Sequence, residues 1–170
     1  MKQQNRIPRL SRLLAGALCA AALTVMPGLS PDARAALDAH YTSASLSAQE
    51  QTAGNLVNSD RARYALPALT LDPALCRIAR IKSEDMRANG YFAHVSPTYG
   101  DVRQMLTAFG YSFEAAGENI AHHRNVEKAQ AAFLSSPGHR RNVLSTRYTR
   151  FGVGVATDGN SVYLTQIFCR

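Results

Sequence analysis

The final stretch of the chain constrains the fold most. In "FGVGVATDGNSVYLTQIF" (151–168), Phe151, Val153 and Val155 alternate with small residues, Asp158-Gly159 supplies a turn, and alternation resumes. A period of two around such a turn predicts a β-hairpin. Most of what precedes it has the period of a helix, so the expected class is α+β.

Local punctuation bounds the helices. "AQEQTAGNLVNSDRARYA" (48–65) places Ala53, Leu56, Val57 and Tyr64 near one face, and Pro67 stops the helical run. "LDPALCRIARIKSEDMRANG" (71–90) has Asp72 as cap, Pro73 in the first turn, an apolar stripe of Leu75, Ile78, Ala79 and Met86, and Asn89-Gly90 as terminator. "DVRQMLTAFG" (101–110) pairs the cap Asp101 with Gln104 and ends at Gly110. "NVEKAQAAFLSS" (125–136) spaces Val126, Ala129, Gln130 and Phe133 as a further helix, and "AGENIAHH" (116–123) is a third strand candidate.

The first 35 residues have the form of an export leader. Lys2, Arg6, Arg9 and Arg12 precede the apolar run "LLAGALCAAALTVM" (13–26), and "PDARA" (31–35) closes on a small-x-small cleavage pattern. A membrane-spanning helix needs roughly 20 apolar residues, so an anchor is the weaker reading. Residues 36–50 are expected to be a linker and 51–170 one domain. Cleavage would remove five of 19 basic residues and one of 12 acids, leaving 14 and 11, so the net charge falls from +7 to +3. That balance is mild and scattered, and no basic stripe with interleaved aromatics supports nucleic-acid binding. A secreted or periplasmic monomer without a mature transmembrane segment is expected.

Two cysteines remain after cleavage, Cys76 and Cys169. In an exported chain an even pair points to a disulfide, worth about 4 to 5 kcal/mol in the chain-entropy model. Two buried free thiols are the alternative.

Three polar residues stand beside helix or strand breaks: His94 in "YFAHVSPTYG", Glu118 in "AGENIAHH", and His139 in "SSPGHRRNVL". Loops on a rigid scaffold are where binding and catalytic groups concentrate. Two imidazoles and a carboxylate suit zinc with an open position, or a ferrous ion. The alternative is three separately satisfied hydrogen-bonding residues. The Pro137-Gly138 pair is expected to end one helix and turn His139 into a cleft, with "RRNVL" as one further helical turn. On a strand, His122 shares a face with Glu118 and either extends the site or is a surface residue. Ser96, Ser135 and Ser136 lack the "G-x-S-x-G" context of a serine nucleophile.

"YFAHVSP", "AGENIA", "SSPGHRRNVL" and "GVGVATDGNSVYLTQIF" together resemble the CAP superfamily, or SCP domain, in its small single-domain bacterial branch. The resemblance runs from about residue 52 to 170. It implies a three-layer α-β-α sandwich with a central antiparallel sheet and a cleft. By motif, the two cleft histidines of animal and plant members correspond to His94 and His139, and one cleft glutamate to Glu118. The second glutamate follows a tryptophan in the family's "W-x-x-E" stretch. Here "FLSS" places Phe133 at the tryptophan and Ser136 at the glutamate. The implied function is non-catalytic binding, in the His94–Glu118–His139 cleft with Ser136, of zinc or another divalent cation, or of a small, lipid-like or envelope ligand. A metal-dependent, peptidase-like hydrolase using the same residues is the alternative, and a structural envelope protein a third.

Overall fold

The computed structural model describes residues 46–170. The expected leader over 1–35 lies outside the described residues, as does most of the expected linker. Helix α1 (Ala48–Arg63) begins within the last residues of the expected linker, 36–50. Ser47 Oγ accepts the Glu50 amide, and Glu50 Oε2 accepts the Ser47 amide, a reciprocal cap that fixes this start.

A two-residue strand β1 (Thr70–Leu71) leads into α2 (Pro73–Ala88), capped by Asp72 and closed by Asn89 before Gly90 at φ +64°. Then follow α3 (Val102–Ala108), β2 (Ala116–His123), α4 (Val126–Ser135), α5 (Pro137–Val143), β3 (Arg150–Asp158) and β4 (Ser161–Cys169). Asp101 and Gln104 form the expected capping box, and Gly110 follows α3 at φ +70°. In the terminal hairpin Asp158 pairs with Ser161, so the turn is Gly159-Asn160, one residue later than expected.

The sheet runs β1-β3-β4-β2. β2–β4 and β3–β4 are antiparallel, as expected, but β1 adds a parallel pair, Thr70↔Arg150 and Leu71↔Phe151. Two residues are too few for a sequence period to reveal. α2 and α3 cover one sheet face, where Leu75, Ile78, Ile81, Met105 and Leu106 pack on Ile167 and Cys169. α1, α4 and α5 cover the other, where Val57, Ala129, Phe133 and Val143 meet Phe151, Val153, Leu164 and Phe168. The result is the expected α-β-α sandwich. No helix among the described residues is long and apolar enough to cross a membrane.

The glycines of "FGVGV" explain how closely the layers meet. A Cβ on Gly152 would lie 2.2 Å from the carbonyl carbon of Leu75, and one on Gly154 2.0 Å from the backbone nitrogen of Arg80. α2 therefore rests on the β3 backbone with no side chain between. Ser83 Oγ takes advantage of the contact, donating to Gly154 O at 2.9 Å.

Two buried charges tie the layers together. Arg80 grips Glu50 through both carboxylate oxygens, at 2.7 and 2.6 Å. Burial pushes the Glu50 carboxyl up, but its bonds from Arg80 and Ser47 bring it below the ordinary 4.5. Arg61 is 1% exposed and donates to three carbonyls, Pro67 O, Val143 O and Ser145 O. It thereby caps the last turn of α5 from α1.

The expected Cys76–Cys169 bond is not formed; both thiols are free and buried. Cys76 packs among Phe151, Val153 and Phe168 and accepts the Val153 amide, whereas Cys169 packs against Leu75 and Ile78. Burial pushes each thiol up to about 11, which suits unreactive packing residues.

Gly154→Ala tests the layer contact. The added methyl meets backbone, which cannot swing aside, so urea unfolding should show a loss of about 3 kcal/mol or more. An unchanged midpoint would mean that α2 does not rest on β3.

Candidate functional site

β2 is an edge strand, and the three residues singled out by sequence gather along it. Glu118 lies in β2 and pairs in register with Ile167, on the face covered by α2. His94 reaches it from the segment following α2, and His94 Nδ1 donates to Glu118 Oε1 at 2.7 Å. His139 arrives from α5 on the opposite face, its ring centroid 6.3 Å from that of His94. The convergence expected from three separate motifs is therefore present.

The Pro-Gly pair follows the end of α4 at Ser135, as expected, and it also begins the next helix. Pro137 opens α5, with Ser136 as its N-cap, so His139 is the third residue of a helix that starts before the expected "RRNVL" turn. Pro at the first helical position has no amide to leave unsatisfied. Phe133 stands edge-on to the His139 ring at 5.3 Å and fills the space beside it. Ser136 is half-buried and makes no side-chain capping bond. The other serines are engaged elsewhere: Ser96 Oγ donates to Asp85 and Ser135 Oγ to Ala131 O, so neither is paired with an imidazole.

Two networks that sequence reading missed hold the trio. The first grows from α2. Lys82, 1% exposed, donates from Nζ to His94 O at 3.0 Å and to the Tyr91 hydroxyl at 3.3 Å. Asp85, also buried, accepts from the Tyr91, Ser96 and Thr98 hydroxyls and from the Asn89 amide. Burial lowers the Lys82 pKa, while Glu118 and Asp85 raise it. Lys82, buried in the field of these two carboxylates, thus fixes through its bond to His94 O the backbone that presents His94. One signal was available: Lys82 occupies a place in the apolar stripe of Leu75, Ile78, Ala79 and Met86, where an unpaired lysine is costly.

The second network is a chain of carboxamides. Asn142 donates to Asn119 at 2.9 Å, Asn119 to Gln166 at 3.1 Å, Gln166 to Gln130 at 2.6 Å, and Gln130 to Asp60 at 2.7 Å. A carboxylate only accepts, so Asp60 dictates the orientation of each amide along the line. The free arms then hold the site: Asn142 Nδ2 donates to Glu118 O and Asn119 Nδ2 to His139 O, both at 3.1 Å. Gly117 makes room for this, since a Cβ there would sit 2.4 Å from the Tyr148 hydroxyl and 3.0 Å from Asn142 Oδ1.

One atom is left over. Glu118 Oε2 is buried and has no hydrogen-bond partner among the described residues. His94, bonded to the other carboxylate oxygen, is 56% exposed in its side chain, so solvent reaches the outer edge of the pair while Glu118 itself is covered. Burial, and then the neighbouring His94, lower the His139 pKa from the usual 6.5, so the ring favours its neutral form.

The donor types suit a divalent ion, but their placement does not form a cage. Glu118 Oε1 is committed to His94, and no group of three His, Cys, Asp or Glu among the described residues is arranged to hold an ion. Tetrahedral zinc with Zn–N bonds of about 2.0 Å would bring two imidazole centroids to roughly 5 Å, closer than the 6.3 Å found. His94 and Glu118 instead form a carboxylate–histidine pair that fixes one tautomer and leaves Nε2 as the free ring nitrogen.

A sandwich of this layering, with a His–Glu–His cleft along its edge strand, defines a class of domain, and comparison with known proteins gives its family. The chain belongs to the CAP, or cysteine-rich secretory protein, family, whose model matches residues 55–168. The Bacillus subtilis protein YkwD is 41% identical over 117 residues, 68% of this chain and 46% of its own length. The membrane protein YlbC of the same organism is 38% identical over 68% of this chain and 33% of its own length. The chain thus spans less than half of either relative. Among solved structures, an extracellular SCP-domain protein of Bacillus anthracis is 33% identical, with a TM-score of 0.65, over 85% of this chain and 45% of that one. An outer surface protein of Borrelia burgdorferi shares the fold at 19% identity and the same TM-score, over 71% and 90% of the two chains.

The lowered His139 pKa has a measurable consequence. An NMR titration should place the His139 midpoint below 6.5. The unfolded chain then takes the proton first. Stability contributed by the neutral ring is complete above pH 6.5 and is lost as the pH falls from there through the folded-state midpoint. His139→Gln should flatten that part of the profile. A midpoint above 6.5 would refute the burial argument.

Proposed function

We propose that this is an exported CAP-domain protein that binds, and does not transform, a ligand in the His94–Glu118–His139 cleft. The observation that carries the reading is Glu118 Oε2, a buried carboxylate oxygen without a partner among the described residues, beside a solvent-exposed histidine. Such an atom costs free energy until a donor reaches it, so a ligand that brings an N–H or O–H is favoured at this point. His94 Nε2 and the neutral His139 ring offer further hydrogen bonds on either side. The serine hydroxyls described above offer no nucleophile, and an ion held by all three residues would require His94 and His139 to approach and Glu118 to release His94. Export is supported by the leader pattern over 1–35 and by the extracellular SCP-domain relative from Bacillus anthracis.

Untagged protein purified from an exporting host tests this by native mass spectrometry. A retained small molecule should be found on the wild type and be lost on Glu118→Gln, which keeps the shape and removes the charge. Peptide and ester libraries should show no turnover. Turnover abolished by Glu118→Gln or by chelator would replace binding with metal-dependent hydrolysis, and retained zinc in place of an organic ligand would make the cleft an ion site.

A further inference from the structure

Beyond the cleft, the same strand carries a second feature that no residue in the His–Glu–His set explains. His122 lies flat on Tyr163, with centroids 4.0 Å apart and planes at 8°. Phe92 leans against both rings, at 6.4 Å and 6.5 Å, and remains 51% exposed. Tyr163 is buried, so the open ring surfaces are those of His122 and Phe92. With Val95, 63% exposed, Phe92 puts two of the three exposed large apolar side chains among the described residues in one short segment. Its backbone is not loose: Phe92 lies between Tyr91 and His94, both held by Lys82. The ring is displayed from a fixed position, which lowers the entropic cost of binding to it.

Polar groups border the platform on its His122 side. His122 Nε2 shares a hydrogen bond of 2.9 Å with Ser161 Oγ, and an open groove of about 540 Å³ is lined by His122, His123, Arg124, Asn160 and Ser161. All five lining side chains can hydrogen-bond, one of them is a guanidinium, and none is a carboxylate. Ring faces rimmed by hydrogen-bonding groups match a molecule with apolar faces and hydroxyl edges, which is the surface of a pyranose ring. A lipid chain would match the ring faces but none of the groove's polar side chains.

The platform and the cleft lie on one line. Glu118 and His122 share a face of β2 four residues apart, about 13 Å along the strand. The segment from Tyr91 to His94 follows it, with His94 against Glu118 and Phe92 against His122. That span suits a chain of linked rings rather than a single one.

We infer that the ligand is a short glycan, one sugar ring packing in the angle between Phe92 and His122, whose planes are tilted by 47°, while the next hydroxyls extend toward Glu118. This rests on the cleft being a binding site and names the class of molecule it takes. The groove's guanidinium and histidines favour a glycan that also bears carboxylates.

Calorimetric titration with the β-1,4-linked tetramer of N-acetylglucosamine, and with a tetrasaccharide of the same backbone carrying lactyl carboxylates, tests it. At least one should bind, and Phe92→Ala and His122→Ala should each weaken binding roughly tenfold. Tyr64→Ala should not, since Tyr64 is an exposed aromatic elsewhere, under the Arg140 guanidinium. Circular dichroism checks that the variants are folded. Tighter binding of the carboxylated sugar, lost on Arg124→Ala, would assign the charge contact. Its absence would confine recognition to the neutral rings. Loss on Phe92→Ala and His122→Ala with full binding by Glu118→Gln would keep the platform and remove the cleft from glycan recognition. Loss on Glu118→Gln alone would keep the cleft and overturn the platform. No binding of either sugar, or equal loss on Tyr64→Ala, would overturn the glycan inference and leave the cleft to its own mass-spectrometric test.

Discussion

The contact between α2 and the backbone of β3 sets the position of nearly everything else. It exists because Gly152 and Gly154 place no Cβ between helix and strand. With the helix seated directly on the sheet, Lys82 and Asp85 lie at a fixed depth beneath the His94 segment, and Ser83 bonds both Gly154 O and the Thr165 hydroxyl. A side chain in the gap would lift α2 and carry Lys82 away from His94 O. Interiors packed at crystal-like density transmit such displacements instead of absorbing them. The position of one imidazole at the molecular edge is thus fixed by two missing side chains on a central strand.

The other half of the site is held by directionality instead of close approach. The amide line from Asn142 to Asp60 passes through α5, β2, β4, α4 and α1, so each layer on that side contributes a link. In such a chain each hydrogen bond polarises the next, and breaking one leaves buried groups unpaired on both sides. Arg61 adds an independent fastening at the C-terminal end of α5. His139 therefore sits on a short helix held at its end by a guanidinium and, at its own carbonyl, by Asn119. Seven residues of helix would have little stability in isolation.

Much of this is legible in the amino-acid order alone. The alternating "FGVGV" and "SVYLTQIF" runs specify the central hairpin, and Asp72 with Gly90 and Asp101 with Gly110 mark the ends of two helices to within a residue or two. His94, Glu118 and His139 are recognisable from motifs, because each stands beside a break and in an order that a family shares. What escapes is pairing at a distance. Nothing near Lys82 in sequence announces that its partners are His94 O and the Tyr91 hydroxyl, and Gln130 looks like an ordinary helical amide until Asp60 and Gln166 stand on either side of it. β1 escapes because two residues carry no period. The disulfide expectation follows from parity and compartment, and those say nothing about which cluster each thiol joins. The Pro-Gly pair reads as a terminator, whereas Pro137 is equally suited to begin a helix.

Phe133 and Ser136 show how the cleft differs from the four-residue set implied by resemblance. Phe133 fills the place beside His139 and keeps the ring partly desolvated, which favours the uncharged imidazole. Ser136 brings no charge. Glu118 is then the only carboxylate among the four cleft positions, and the buried Lys82 ammonium lies close enough to interact with it. One acid already opposed by an ammonium and bonded to a histidine attracts a dication less than two acids would. It still has one oxygen that needs a donor. Removing the second carboxylate thus shifts the chemistry of the cleft from concentrating positive charge toward accepting hydrogen bonds, and the exposed rings farther along β2 extend that polar, partly apolar surface along the edge strand.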